Sequence, residues 1–418
     1  MSLPLIILLI TYVVLIFLNK RFRHVVFDAF FFVMTPYVFI ILLNNLIMHN
    51  NGFYLIPDNI IYIHIVALIL FFLGSTVGDV FGRKVRIKSH LRQYSLMNVS
   101  YRRLIILSTI VIVLVGQDFA RLISSHGVIR VIQLGDNLDR SQLSAHLTIT
   151  LVPLVILLFD YYCETKKKYL IIYIVLSLGL IFSTFIKYHV ISAILALLIY
   201  SAIRRPEIVK KVGLIAFAAV VVLFVSSYLL SFFANGITVN NQYYLNHFWT
   251  YVAGGTINIT SAQQYLSGQQ GSCSLFIWAI SMLLRFPNNL LMGFFGINFI
   301  TYEFSTTFPH FNLGPDLSNV VSILGATYLQ GNIISFPIFM IFWGALVQHI
   351  FSSARKTSSL RLAVVGSVFL AYNMLSFFSS FFELSLPWET MIQSFLIFFV
   401  LGCRPQNNKV FDNRIESM

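Results

Sequence analysis

At 418 residues, with 58% hydrophobic and only 10% charged side chains, the chain carries less than half the charge of an ordinary soluble domain, where it is about a quarter. A mean hydropathy of +0.82 excludes a single water-soluble core, and continuous apolar runs of about 20 residues, in place of ten-residue alternation, exclude a β-barrel. The net charge of +13 would suggest nucleic acid in a soluble protein, but in a membrane protein it reflects Lys and Arg kept on the cytoplasmic side, so no nucleic-acid partner is expected.

In chain order, apolar runs fall at about 2–18, 25–47, 60–79, 104–120, 147–162, 169–186, 189–203, 212–234, 333–350, 362–383 and 388–402. This predicts an all-α polytopic integral membrane protein of about eleven transmembrane helices. The first run lacks a basic n-region and a small-residue cleavage site, so it reads as a span. Alternating sides from an outside N-terminus leaves 23 of the 28 Lys and Arg on the inner connectors. The positive-inside rule then sets the N-terminus outside and the C-terminus in the cytoplasm. Five cations stand outside that bias: Arg121, Arg130, Arg140, Lys187 and Arg285. Each is a candidate for holding an anion, against the plain reading of a solvated cation or a salt bridge to Asp118, Asp136 or Asp139.

The sequence reads as one membrane domain over 1–418 with two outer segments of size, a smaller loop at 117–146 and a large one at 236–332 between the eighth and ninth spans. The first part of the smaller loop spaces Phe119, Leu122, Ile123 and Val128 as an amphipathic helix would. Within the large loop, 274–284 and 290–300 are apolar but each gives only about 16 Å of helix, too short to cross. They are expected as two interfacial or re-entrant helices. A single span over 274–300 would place Arg355, Lys356, Arg361 and the basic tail outside; a pair of spans would preserve the sides and stays open.

Specific chemistry is expected in the loops. The chain has no P-loop, dinucleotide fingerprint or nucleophile elbow, and no outer Asp-x-Asp pair to hold a metal with a nucleotide sugar. Cys163, Cys273 and Cys403 fall in different segments and suggest neither a disulfide nor a zinc site, so no cofactor or metal is expected. An outward-facing enzyme of this kind needs substrates that arrive activated and membrane-bound. Arginines suit a lipid pyrophosphate, because the planar guanidinium grips two oxygens and stabilises a departing anion. Lys187, in the turn between two spans, is equally a snorkelling anchor. A base for the attacking hydroxyl must come from Glu303, Asp316, His310 or His247; Asp316 also suits a turn or helix cap, and His310 a structural role. Tyr243, Tyr244, Phe248, Trp249 and Tyr251 suit sugar stacking or interfacial anchoring alike.

These features resemble the O-antigen and oligosaccharide repeat-unit polymerases (Wzy type). The resemblance rests on span number, a large late outer loop, a smaller arginine-bearing loop before it and two local patterns. Arg285-Phe-Pro-Asn-Asn-Leu-Leu-Met-Gly-Phe-Phe-Gly296 is similar to that family's Arg, ten residues, Gly spacing. Ser318-Asn-Val-Val-Ser-Ile-Leu-Gly-Ala-Thr-Tyr-Leu-Gln-Gly331 is similar to its Asn-Val stretch closed by glycine. Arg121, Arg130 and Arg140 lack the first spacing, and 328–331 reads Tyr-Leu-Gln-Gly where an Asp commonly precedes Phe-Gly. The resemblance implies a GT-C-like fold and a metal-independent, inverting glycosyltransferase of the bacterial inner membrane. Donor and acceptor would be oligosaccharides on undecaprenyl pyrophosphate, joined at the periplasmic face, with membrane lipid and a regulator of chain length as further partners. It assigns Arg285 and Gly296 to the donor pyrophosphate site, Arg121, Arg130, Arg140 and Lys187 to donor or acceptor phosphates, and Asn319 to ordering the loop. An O-antigen ligase shares the donor and architecture. A lipid-linked oligosaccharide flippase is the reading from another class; it calls for buried charges in the spans, and the sequence offers almost none.

Overall fold

The computed structural model describes residues 2–90, 100–135, 138–236, 241–267, 274–300, 308–357 and 359–402, with backbone alone over 83–90 and at 241. Sixteen α-helices occur among them: α1 (Leu3–Arg23), α2 (Ala29–Leu46), α3 (Asp58–His90), α4 (Tyr101–His126), α5 (Val128–Leu134), α6 (Gln142–Thr165), α7 (Tyr169–Phe182), α8 (Lys187–Arg204), α9 (Val209–Asn235), α10 (Asn241–Ile257), α11 (Ile259–Ser267), α12 (Leu275–Phe295), α13 (Ile323–Gln330), α14 (Ser335–Lys356), α15 (Leu360–Met374) and α16 (Ser385–Val400). A short hairpin pairs β1 (Phe311–Asn312) with β2 (Leu317–Ser318).

Ten of the described helices are long and apolar enough to cross a bilayer, as in an all-α polytopic membrane protein. Nine of the ten fall on expected runs. The runs at 169–186 and 388–402 form α7, of 14 residues, and α16, of 16, about 21 and 24 Å of helix at 1.5 Å per residue.

The tenth is a correction. Where two short helices were expected at 274–284 and 290–300, α12 runs unbroken for 21 residues through Pro287. The two apolar segments, each too short to cross alone, are joined through Arg285, Phe286, Pro287, Asn288 and Asn289, although proline removes a ladder hydrogen bond. Here, as with Pro36 in α2 and Pro153 in α6, the helix carries the proline inside. Ser274 Oγ accepts from the Ile277 N–H at one end, and Gly296 in the left-handed region closes the other.

The helices divide into two compact units, each assembled from separated segments. The first holds Met1–Val80, Val239–His349 and Tyr372–Trp388. Its core forms around α2, where Phe30 meets Phe72 edge to face at 5.4 Å and the buried Tyr37 hydroxyl donates to the Ser376 carbonyl at 2.9 Å. In this unit α3 and α14 approach until their backbones touch. A Cβ added at Gly74 or Gly78 would collide with the carbonyl oxygen of Ile341 or Ala345, and one at Gly344 with that of Phe71. Small residues one turn apart permit this contact, which replaces the missing hydrophobic drive between helices in lipid. Gly74→Val is therefore expected to destabilise the protein by about 2 kcal/mol or more, because the obstacle is backbone and cannot swing away. A thermal transition in detergent at the wild-type temperature would contradict this packing.

The second unit holds Phe81–Thr238, Ile350–Ala371 and Glu389–Met418. In it α6 is buried from Leu151 to Leu158 and α8 from His189 to Ala196. At the end of that helix Arg205 donates to Asp160 at 3.1 Å and to Glu164 at 3.0 Å.

A further correction concerns ionisable groups. The buried residues include Asp28, His64, Asp79, Asp160, His189 and Glu383, so the spans and their ends hold more buried titratable groups than the sequence suggested. Apolar runs hide such residues because one polar side chain barely lowers a window average. Arg23 neutralises Asp28 at 2.7 Å, and Trp278 donates to Glu383 at 2.8 Å.

Candidate functional site

The expected site residues fall into two groups, one in each unit. In the first unit the chemistry gathers at the β1–β2 hairpin. Phe311 pairs with Ser318 and Asn312 with Leu317, leaving Leu313-Gly314-Pro315-Asp316 as the loop. Asn312 Oδ1 accepts from the Gly314 N–H at 2.8 Å, and Gly314 has φ of +112°, a conformation that suits glycine. A Cβ there would also strike the Gly52 carbonyl, because the 48–54 turn lies against the hairpin and the Tyr54 N–H donates to the Leu313 carbonyl at 3.0 Å. That turn is fixed from α2: Asn44 Nδ2 donates to the Tyr54 carbonyl at 2.9 Å, and Asn45 Oδ1 accepts from the Ile56 N–H at 2.9 Å.

The hairpin presents Asp316 to α10. Asp316 Oδ1 accepts from the Leu317 N–H at 2.8 Å, as a turn residue would, and Oδ2 stands 2.6 Å from His247 Nδ1. A carboxylate on Nδ1 fixes the ring and leaves Nε2 as the atom through which a proton can be exchanged. One helical turn earlier, Tyr243 lies parallel to that imidazole, with ring centres 5.6 Å apart and planes 6° apart. Burial raises the pKa of the Tyr243 phenol and the Asp316 charge adds to the rise, so its hydroxyl stays protonated at neutral pH. Trp249, on the buried side of α10, donates to Asn44 Oδ1 at 2.9 Å. Tyr251 stacks on Phe378 at 4.3 Å.

α10 meets its neighbours through Gly254 and Gly255. A Cβ at Gly254 would collide with the Ser318 side chain, and one at Gly255 with the carbonyls of Phe377 and Phe378. The buried Asn258 donates to the Ser318 carbonyl at 3.1 Å and to that of Val320 at 2.9 Å. Asn258 thus holds the backbone on both sides of Asn319, whose own side chain is exposed. Sequence reasoning did not single out Asn258, an asparagine that follows two glycines.

Of the other expected bases, His310 is exposed just before β1, and Glu303 lies outside the described residues. Arg285 sits midway along α12, on the face that buries Trp278 and Met282, while Phe276, Ile280, Leu283 and Phe294 are exposed on the opposite side. Gly296 is the C-cap of that helix. His247 precedes α12 and Asp316 follows it, so their hydrogen bond brings the chain before and after this helix together.

In the second unit α4, α5 and the chain before α6 close over a small apolar cluster of Leu122, Val131 and Leu138 with Phe119 and Phe185 against it. Around it stand four of the five cations singled out from the sequence. Arg121 is exposed and pairs with Asp118 at 2.8 Å, the plain salt bridge that the sequence allowed. Arg130, exposed on α5, reaches Gln133 Oε1 at 3.4 Å, and Gln133 donates to the Ala234 carbonyl at 2.7 Å. Arg140 is half-buried, donates to the Ser183 carbonyl and lies over Phe119 at 5.7 Å. Its Nη1 is buried with no hydrogen-bond partner among the described residues, and burial lowers its pKa while Asp118 opposes the shift. Lys187, the first residue of α8, holds its ammonium 3.7 Å from the centre of the Tyr228 ring.

Sequence reasoning missed a second imidazole–carboxylate pair here. His146 Nδ1 meets Glu389 Oε1 at 2.5 Å, and Gln393 donates to the same oxygen at 2.8 Å. The partners are 243 residues apart, a separation that no local pattern reveals. Among the described residues, no three His, Cys, Asp or Glu side chains converge as a metal would need.

No family model, no curated protein and no solved structure matches this chain.

Proposed function

We propose that the chain is a membrane glycosyltransferase of the repeat-unit polymerase type, acting on lipid-linked oligosaccharides at the periplasmic face of the bacterial inner membrane. The observation that carries this reading is the His247–Asp316 pair, an oriented base in the one long segment outside the apolar runs. His247 Nε2 would take the proton from an acceptor sugar hydroxyl. The hydroxyl oxygen would form a bond to the donor's anomeric carbon from the face opposite the leaving group. The bond from that carbon to the pyrophosphate oxygen would break, and the lipid pyrophosphate would depart with the electron pair, with inversion. Arg285 is the candidate to hold that anion. Taken by itself, the second unit offers half-buried Arg140 with Lys187 as its stronger lipid-phosphate candidate and Arg121 as its weakest, since that charge is already paired and exposed.

The sidedness in this proposal depends on α12. A single crossing would separate the chain before it from the chain after it, yet His247 and Asp316 are in contact. An extended return through hydrocarbon would leave backbone groups unsatisfied, and Arg285 at the midplane would cost about 3 kcal/mol. A helix lying in the interface avoids both costs and keeps Arg355, Lys356 and Arg361 inside.

A flippase is the second reading, and the buried His64 and His189 favour it: Nε2 of each has no partner among the described residues, and intramembrane ionisable groups commonly mark a transport path. Deletion of the gene separates the readings. Loss of a polymerase leaves lipid A cores with at most one repeat unit; loss of a ligase leaves bare cores while polymer still builds on the lipid carrier. Loss of a flippase leaves repeat units accumulating on the cytoplasmic face, and either of these last two outcomes would overturn the proposal.

A further inference from the structure

We infer that the face of α10 bearing Gln242, Tyr243 and Asn246, with Asn51 beside it, is a carbohydrate subsite that seats the acceptor sugar. The inference rests on the transferase reading for the word acceptor, but the surface points to a sugar by its own chemistry. Tyr243 is 39% exposed while its ring is held parallel to His247, giving an apolar plate of fixed orientation. The axial hydrogens of a pyranose pack against such a plate. Beside it runs a row of amides: Gln242 Nε2 donates to Asn246 Oδ1 at 2.9 Å and to Asn51 Oδ1 at 3.4 Å. Each primary amide presents donors and an acceptor together, matching a hydroxyl that also does both. Asp316 supplies an acceptor-only carboxylate next to the plate.

Charge argues in the same direction. The sequence has no Lys or Arg from 24 to 82, from 212 to 284 or from 286 to 354, the stretches that supply this surface. A phosphate or carboxylate ligand would find no cation on these elements. An uncharged, hydroxyl-bearing ring needs none. Of the five cations expected to hold anions, four stand around Leu122 and Leu138 in the second unit and the fifth, Arg285, is on α12. The ring seated on Tyr243 lies beside His247, so one of its hydroxyls is the group that loses a proton. That makes the occupant the acceptor, since the donor brings its anomeric carbon and phosphate.

The test uses the full-length protein in detergent micelles and isothermal titration with the repeat-unit oligosaccharide, freed of lipid and pyrophosphate by mild acid. Tyr243→Ala should weaken binding about tenfold and Gln242→Ala severalfold, while Tyr243→Phe, which keeps the plate, should bind nearly as wild type does. Titration with inorganic pyrophosphate should be unchanged in all three. Equal oligosaccharide affinity in wild type and Tyr243→Ala, or none in wild type, would overturn the subsite. Failure of the enzymatic reading looks different: the oligosaccharide binds and Tyr243→Ala loses it, yet the wild-type protein does not extend a lipid-linked repeat unit.

Discussion

His247→Ala should lower polymer elongation by about two to four orders of magnitude, the usual contribution of a positioned base, with protein level and thermal transition unchanged. Gln242 bonds Asn51 and Asn246 and Trp249 bonds Asn44, so the helix should survive loss of the imidazole. Asp316→Asn should cost less. An amide in place of the carboxylate can still accept from Nδ1, but it can also turn its NH₂ toward the ring and leave the imidazole in the wrong orientation. Incorporation of labelled lipid-linked repeat units by membranes carrying each variant gives the measurement. Normal elongation in His247→Ala would remove this pair from the chemistry, and His310 and the His146–Glu389 pair would be the next bases to test.

Arg285→Ala should abolish visible ladders through the loss of roughly 3 kcal/mol of leaving-group stabilisation, on the order of a hundredfold in rate. Arg285→Lys should restore part of it, since one ammonium cannot reproduce the planar two-point grip. The face of α12 that carries Arg285 is the face that buries Trp278 and Met282, so the guanidinium is directed inward rather than among the exposed apolar side chains. A surface anchor predicts instead that both variants polymerise as wild type does. Matched expression and polysaccharide ladders distinguish the two.

The architecture was legible because a hydrophobic run of the right length has few alternatives: nine of the ten long apolar helices among the described residues fall on runs readable in the sequence. At α12 the two apolar segments were each too short to cross when taken alone, and the helix runs on through the polar residues between them. Asp316 was legible as a turn residue, since Gly314 and Pro315 mark the bend. Its pairing with His247 was not, because the two are 69 residues apart and no periodicity connects a helix to a hairpin. The supporting residues were harder still. Asn44, Asn45 and Asn258 act by satisfying backbone groups elsewhere in the chain, and an isolated asparagine in an apolar context carries no mark of which carbonyl it meets. Gly255 was silent for the same reason: what it accommodates, the carbonyls of Phe377 and Phe378, lies more than a hundred residues later.

The first unit takes its pieces from three separated stretches, and this governs how the protein is made. When α1, α2 and α3 leave the ribosome, the Asn44 side chain, the Tyr37 hydroxyl and the bare backbone at Gly74 are ready, but their partners at Trp249, Ser376 and Ile341 do not yet exist. At about 5–20 residues per second, the chain from 81 to 238 alone occupies the interval for roughly 10–30 s. During that time the newborn helices wait in the bilayer with polar groups facing lipid or whatever insertion factor shields them. A chain arrested before residue 372 would hold the hairpin and α10 yet lack the Ser376 carbonyl that receives Tyr37. The first unit is thus complete only once residues 372–388 have been made, and quality-control proteases should remove chains cut before Ser376 more readily than substitutions within the site itself.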